Sequence, residues 1–215
     1  MIIIRLVLLL FLLLFIKYYP KLTNYSLDTK FNFYRSLICL YLSINSLDII
    51  INNIFSFNKI TSYNNNEIND HICWFKSYII LDLLYMIYSK NKRIDLYLHH
   101  IFCLITFIII EYYNSYSLLY SFLLLTECIS IVSGIDSMYL EDKNYEKSKK
   151  YKQIRINIIK YIRRPMWIIC ILLLLFNKNN MIFTIFLINL VGCILFLCLD
   201  IYWENKCYKI INKNI

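Results

Sequence analysis

Long apolar runs recur along the 215-residue chain and constrain its fold more than any other feature. A helix of about twenty apolar residues crosses the hydrocarbon core of a bilayer. Lipid tolerates only helices or closed barrels as spanning structures, and these runs are too long and too apolar for barrel strands. The sequence therefore predicts an all-α integral membrane bundle of about seven transmembrane helices. Their expected spans are residues 2–17, 33–57, 72–88, 97–113, 115–136, 165–177 and 181–203.

Composition excludes several other classes of protein. Hydrophobic residues make up 60% of the chain and the mean hydropathy is +0.55, more apolar than a soluble domain of this length. Two glycines are too few for a phosphate-cradling loop or a dinucleotide fingerprint, and they disfavour helix packing by close Gly–Gly approach. The eight cysteines form no CxxC pair and fall mostly in apolar runs, so we expect no disulfide framework, no zinc site and no cofactor.

Positive charge predicts the orientation of the spans. Of the 23 Lys and Arg residues, 19 lie in alternate loops, which are residues 17–35, 89–95, 141–164 and 204–215. The positive-inside rule then predicts a lumenal or extracellular N-terminus and a cytosolic C-terminus. The net charge of +9 is explained by this fringe, suits anionic lipid headgroups and requires no nucleic acid. The basic run at 141–164 is expected to be a solvated loop.

The first apolar run has two interpretations. It could be a cleaved signal peptide, because an arginine precedes the apolar stretch "LVLLLFLLLFI". No small-residue cleavage site follows it, however, and we therefore favour an uncleaved span.

Ionisable residues inside apolar runs are costly and by default mark function. Counted at 1.5 Å per residue from the predicted span ends, most of them fall in one layer of the cytosolic half. That layer contains Asp82, His99, His100, Glu127 and Asp200. Asp48 lies in the outer half of its span and Asp136 lies at a span edge. Four helices would then contribute acids or bases to one layer, which predicts a polar pocket open to the cytosol.

His99 and His100 are adjacent and therefore point about 100° apart on a helix. One is expected to face the pocket as a general base, and the other to orient it, bond a neighbouring helix or touch headgroups. Asp82 or Glu127 would hold the base in one tautomer. The alternatives are histidines that only bond lipid phosphate or cap a helix, and a metal site, for which adjacent histidines lack ligand spacing.

The block "SYIILDLLYMIYSKNKRIDLYLHHIFCLITFIII" resembles the TLC domain of ceramide synthases, translocation-associated membrane proteins and a ceroid-lipofuscinosis protein. Asp82 and the pair His99–His100 match an Asp-bearing span, a short basic loop and a helix that opens with two histidines. "LLLTECISIVSGID", with Glu127 and Ser130, is similar in part to the next span of the smaller members, and "LCLDIYWENKCYKIINK" to the last helix and basic tail.

The resemblance implies a fold and a compartment. Six helices in two inverted repeats would surround a lipid-sized pocket in residues 30–212, after an N-terminal helix and linker at 1–29 and before a short tail at 213–215. The usual compartment of the family is the endoplasmic reticulum. In the ceramide synthase branch the His pair is required for acyl transfer from acyl-CoA to a sphingoid amine. The second His-Asp pair of that branch is absent here, and only Glu127 and Asp136 would stand in.

Three functions remain open from the sequence. The first is binding or handling of a membrane lipid, either a sphingolipid or an acyl lipid. The second is acyl transfer, with His99 or His100 as base or acyl acceptor and Asp82 and Glu127 in support. The third, a seven-span receptor, is disfavoured because no DRY-like or NPxxY-like motif is present. The expected partners are membrane lipids and, for the enzyme, acyl-CoA, with lipid or CoA contacts at Lys90, Lys92, Arg93 and Asp200.

Overall fold

The structure, a computed structural model, describes residues 2–53, 66–113 and 118–212, and over these ranges the chain forms helices and no strands. The predicted span ends at 54–57 and 115–117 and the tail at 213–215 lie outside them. The α-helices are α1 (Ile2–Tyr18), α2 (Leu27–Asn53), α3 (Asn66–Tyr88), α4 (Ile94–Tyr112), α5 (Leu119–Leu125), α6 (Cys128–Glu141), α7 (Tyr145–Ile158), α8 (Arg164–Asn177) and α9 (Phe183–Ile211). A π-helical turn, Ile159–Arg163, joins α7 to α8 without a break.

Four helical segments within the described ranges are long and apolar enough to cross a membrane. They are Leu27–Asn52, Ile94–Tyr112, Leu119–Glu141 and Phe183–Ile211. The predicted all-helical class is therefore confirmed, and the segments are consistent with an integral membrane protein. The count of seven spans and their orientation stay predictions.

Helix α4 shows how a membrane-length helix is divided between the bundle and its surroundings. Ile101, Ile105 and Ile108 recur at helical spacing on one face, and each is about half exposed. The opposite face is buried and carries the polar residues His99 and His100. An apolar outer face with polar groups turned inward reverses the pattern of a soluble helix and suits a lipid environment.

Helix α2 packs against α5 and α6, and one glycine sets its distance from α6. A Cβ at Gly134 would lie 1.8 Å from Ser36 Oγ and 2.5 Å from the Asn32 carbonyl oxygen, so only glycine fits there. The Ser36 hydroxyl lies 3.0 Å from the Asn32 carbonyl oxygen and 3.1 Å from that of Ser130 on α6. The close approach is thus between glycine and serine rather than between two glycines.

A second contact fixes one end of the same helix pair. The Ser26 backbone N–H and hydroxyl donate to the two Glu141 carboxylate oxygens at 2.6 and 2.8 Å. A carboxylate beside the first turn of α2 also complements its helix dipole. Nearby, the Tyr25 hydroxyl donates to Asp142 at 3.0 Å, and this hydrogen bond raises the pKa of Tyr25.

Two expectations about helix limits need correction. The predicted span 115–136 coincides in part with the membrane-length segment Leu119–Glu141, but a turn at Thr126 and Glu127 divides this segment into α5 and α6. The basic run 141–164, expected as a solvated loop, is helical and packs against α6 and α9. Its buried face consists of Ser148, Lys152 and Ile156, and because only one of these is apolar the sequence carries no amphipathic signal.

Candidate functional site

The start of α4 is anchored so that the histidine pair follows one turn later. Asp95, in the first turn of α4, accepts a hydrogen bond from Trp203 Nε1 on α9 at 2.7 Å and pairs with Arg93. A carboxylate in the first turn is favourable at the positive end of a helix. These contacts join α4 to α9 at the depth where His99 and His100 begin to face the interior.

His100 forms an ion-pair chain with α3 and α2. Its Nε2 lies 2.7 Å from Asp82 Oδ2, and Asp82 Oδ1 accepts from Arg35 Nε at 2.8 Å. Tyr78 adds a hydroxyl 3.5 Å from Asp82 Oδ2. Asp82 is 1% exposed, so its charge is balanced by Arg35 rather than by water. Since Arg35 holds the carboxylate, the carboxylate in turn holds the His100 ring.

His99 faces a different carboxylate. Its Nε2 lies 3.5 Å from Glu127 Oε1, and its ring packs edge-on against Phe196 and Trp203 at centroid distances of 5.2 and 5.9 Å. His99 and Glu127 are both buried. The longer distance makes this pair looser than the His100–Asp82 pair.

The ring Nδ1 atoms of His99 and His100 are both buried and have no hydrogen-bond partner among the described residues. When an imidazole donates Nε2–H to a carboxylate, Nδ1 keeps a lone pair that can accept a proton. Each pair therefore has the arrangement of a general base oriented by an acid.

Glu127 reaches His99 because a residue of the π-helical turn holds the α5–α6 turn in place. The Thr126 carbonyl, freed where α5 ends, accepts a hydrogen bond from Arg163 Nη1. Arg163 lies in the π-helical turn and pairs with Asp200, with Nε 2.9 Å from Oδ1. Asp200 Oδ2 also accepts from Trp167 Nε1 at 2.8 Å. Such π-turns are frequent at functional sites, and this one aims a buried guanidinium at the helix break.

A polar cavity of about 230 Å³ lies beside both pairs and is partly open to the surface. His99, His100, Asp82 and Glu127 line it. Four of the α6 residues that line it are small and recur at helical spacing, Ser130, Ser133, Gly134 and Ser137. These small residues leave the space that the acid and base groups face.

A second, apolar cleft of about 20 Å³ lies on the other side of His99 and Glu127. Phe107, Trp167 and Phe196 line it. This volume admits about one water-sized group. His99 and Glu127 are the residues that border both spaces.

The other residues considered from the sequence lie in different places. Arg93 lines the cavity, whereas Lys90 and Lys92 are exposed and do not. Asp200 is fully buried in its pair with Arg163 and does not line the cavity either. Asp48 is exposed on α2, and Asp136 lines the cavity while pairing with Lys152 at 2.7 Å.

Sequence reasoning missed three arginines that line the cavity, Arg35, Arg155 and Arg163. They were counted only as part of the cytosolic positive fringe. A buried carboxylate such as Asp82 or Asp200 requires a nearby cation. That requirement is the one sequence signal from which Arg35 and Arg163 could have been found.

Comparison with known proteins adds no relative. No protein-family model, no curated protein and no solved structure matches the chain. The function is therefore argued from the geometry described above.

Proposed function

We propose that this chain is an integral membrane protein that binds a membrane lipid, a sphingolipid or another acyl lipid. The polar part of the lipid occupies the cavity and its chains lie along the apolar helices. One observation carries the proposal: a polar cavity lined by two histidine–carboxylate pairs lies inside helices whose outer faces are apolar. A lipid has the same division into a polar head and apolar chains.

The size of the cavity supports binding of the head rather than of a whole lipid. Pockets that enclose drug-sized ligands measure about 300–1,000 Å³. The polar cavity, at about 230 Å³, fits a headgroup, and the cleft of about 20 Å³ beyond His99 fits little more than the first atoms of a chain. The remaining chain length therefore lies against the outer apolar surface.

Filling the cavity tests this proposal. In Ser133→Phe the new ring would occupy the cavity without removing an ion pair, because the Ser133 hydroxyl bonds only to the Ile129 carbonyl of its own helix. Ile105→Phe places the same ring on the exposed face of α4 and serves as the control. Lipid that co-purifies in mild detergent is measured by mass spectrometry, alongside size-exclusion profile and helix content.

We expect lipid with the wild type and the control, and little with Ser133→Phe. Equal lipid content in all three folded proteins would contradict the proposal.

A second candidate function is acyl transfer from acyl-CoA to the amine of a long-chain base. It is favoured by the position of His99, which borders both the polar cavity and the apolar cleft. An acyl carbonyl lies where an apolar chain meets a polar group. The amine nitrogen would attack the thioester carbonyl carbon as His99 Nδ1 takes the amine proton. The C–S bond would then break, and the leaving thiolate would take that proton from His99 to become the thiol. The other product is the amide.

Labelled acyl-CoA and a panel of long-chain bases, supplied to membranes at matched expression, test this candidate. General-base catalysis is worth about 10²–10⁴-fold, so His99→Ala should lose at least about a hundredfold in amide formation. His100→Ala is the companion variant, because it removes the other imidazole of the cavity. The absence of amide product with every base, from a wild type that still carries lipid, would exclude this reaction and leave the binding function standing.

A further inference from the structure

The cations around the polar cavity are paired, with one exception. Arg35 pairs with Asp82, Arg93 with Asp95 and Arg163 with Asp200. Arg155, which also lines the cavity, has no ion pair and no hydrogen bond to any described residue. Its Nε is fully enclosed and has no acceptor. A guanidinium in that position lacks the acceptors that such a group requires when it is taken out of water.

The carboxylate whose charge acts on Arg155 already has partners of its own. Asp136, the acidic neighbour that acts on Arg155, has its two oxygens 2.8 and 2.7 Å from Lys152 Nζ and accepts a hydrogen bond from the Ser148 hydroxyl. Burial lowers the pKa of the Arg155 guanidinium, and the positive charges of Arg93 and Arg163 act in the same direction. Arg155 is therefore the cavity-lining arginine that has no carboxylate within ion-pair distance among the described residues.

The chemistry of this unpaired guanidinium points to one class of ligand group. A guanidinium offers five donors in a planar fork that matches the oxygens of a phosphate. An anionic group in the cavity would accept hydrogen bonds from the terminal Nη groups of Arg155, which are not enclosed as Nε is, and would also offset the repulsion from Arg93 and Arg163. A neutral headgroup, such as that of a diacylglycerol, would do neither.

We propose that Arg155 binds a phosphate group of the ligand at the α7 side of the polar cavity. This inference rests on the proposed lipid-binding function and deepens it by assigning a phosphate-bearing ligand. The phosphate belongs either to a lipid headgroup or to a soluble nucleotide-linked acyl donor, and the two share the same chemistry at Arg155. Helix α7 then supplies a binding residue, and the histidine pairs face another part of the same molecule.

The test compares ligands with and without a phosphate on the purified full-length protein in detergent. The probes are phosphatidic acid, diacylglycerol with the same chains, and coenzyme A without an acyl chain. Binding is followed by the fluorescence of Trp203, which lines the cavity, and is checked by native mass spectrometry. The variants are Arg155→Gln and Arg155→Lys. Lys150→Gln is the control, because it removes a charge from an exposed position on the same helix.

We expect the wild type to bind phosphatidic acid about tenfold or more tighter than diacylglycerol, since hydrogen bonds to charged groups are the strong ones. Arg155→Gln should lose that preference while keeping its affinity for diacylglycerol, Arg155→Lys should keep part of it, and Lys150→Gln should keep all of it. Competition by coenzyme A alone identifies a soluble donor, and its absence identifies a lipid headgroup.

A separate readout does not depend on ligand. Removal of a partly buried charge without an ion-pair partner should leave the melting temperature of the ligand-free protein unchanged or higher in Arg155→Gln. A folded Arg155→Gln that still prefers phosphatidic acid, or an equal loss in Lys150→Gln, overturns the phosphate site. Diacylglycerol binding without a phosphate preference in the wild type overturns it and leaves the proposed function intact, whereas no binding of either lipid overturns both.

Discussion

His99 and His100 are neighbours in the chain, yet their surroundings differ. The His100 ring is held at 2.7 Å by Asp82, which Arg35 holds at 2.8 Å. The His99 ring lies 3.5 Å from Glu127, a residue in a turn between two helices. One pair is built on three continuous helices, α2, α3 and α4, and the other on a helix break that Arg163 supports.

The difference indicates that the His100 ring mainly stabilises the bundle, whereas the His99 ring is positioned to contact a ligand. A ring fixed by a charged chain is well oriented and contributes to the stability of the bundle. A ring with a looser partner that borders both the polar cavity and the apolar cleft would have access to more of the lipid proposed above. We therefore expect substitutions at the Asp82 pair to act mainly on stability and those at the Glu127 pair mainly on ligand handling.

The largest effect is expected from Asp82→Asn, which would leave the Arg35 guanidinium and His100 without their shared charge. Breaking one partner of a buried ion pair costs about 3–5 kcal/mol in free energy of unfolding. Thermal unfolding in detergent, read by circular dichroism, measures the loss. A double variant, Arg35→Met with Asp82→Asn, should recover part of it. Wild-type stability in the single variant would show that Arg35 does not depend on Asp82.

His100→Ala and His99→Ala should differ next. Removing the His100 ring deletes a close hydrogen bond in a buried site, and we expect a cost of about 2 kcal/mol in free energy of unfolding. His99 already borders two open spaces, so its removal should cost about 1 kcal/mol. The same unfolding assay compares them. The reverse order would mean that His99 is the structural member of the pair.

Glu127→Gln should have a smaller effect on stability. The amide has the same shape, and the contact it replaces is 3.5 Å long, so we expect about 1 kcal/mol or less in free energy of unfolding. The amount of co-purified lipid should fall while the free energy of unfolding changes little. If transfer occurs, the rate of amide formation should fall in the same way. A loss as large as that of Asp82→Asn would abolish the distinction between the two pairs.

The smallest effect is expected at the exposed lysines Lys90 and Lys92. Neither lines the cavity, and exposed substitutions of this kind usually stay within about 0.5 kcal/mol. The double variant Lys90→Gln, Lys92→Gln should keep wild-type stability and wild-type affinity for phosphatidic acid. A marked loss of affinity would place the anionic part of the ligand on the α3–α4 connection rather than at Arg155.

Several features followed from the sequence because they depend on local chemistry. Apolar runs near bilayer length predict helices, since backbone groups in lipid must be paired within the segment. The rise per residue placed Asp82, His99, His100 and Glu127 in one layer, and all four line the same cavity. We expected one histidine to face the pocket and the other to orient it, bond a neighbouring helix or touch headgroups. Instead, both line the cavity, and each faces its own carboxylate, Asp82 or Glu127.

Other features were set by tertiary structure. Asp82 accepts a hydrogen bond from Arg35, which lies 47 positions away in the chain. The Thr126 carbonyl accepts one from Arg163, which lies 37 positions away. Nothing local distinguishes those arginines from the other cations of the fringe. We expected a loop in place of α7 because the sequence there has no apolar periodicity. In the structure the buried face of α7 gains stability from an ion pair, Lys152–Asp136.

The sequence by itself determined that this chain is helical and has segments of membrane length, and it predicted that acids and bases from several helices would meet. Those properties follow from solvation, which acts on each residue separately. Only the tertiary structure decided which acid holds which histidine, where the polar cavity opens and why Arg155 is left without a partner. The strength of an ion pair in a low dielectric depends on the distance between its two charges. The distances between charges on different helices are fixed only when the bundle has packed.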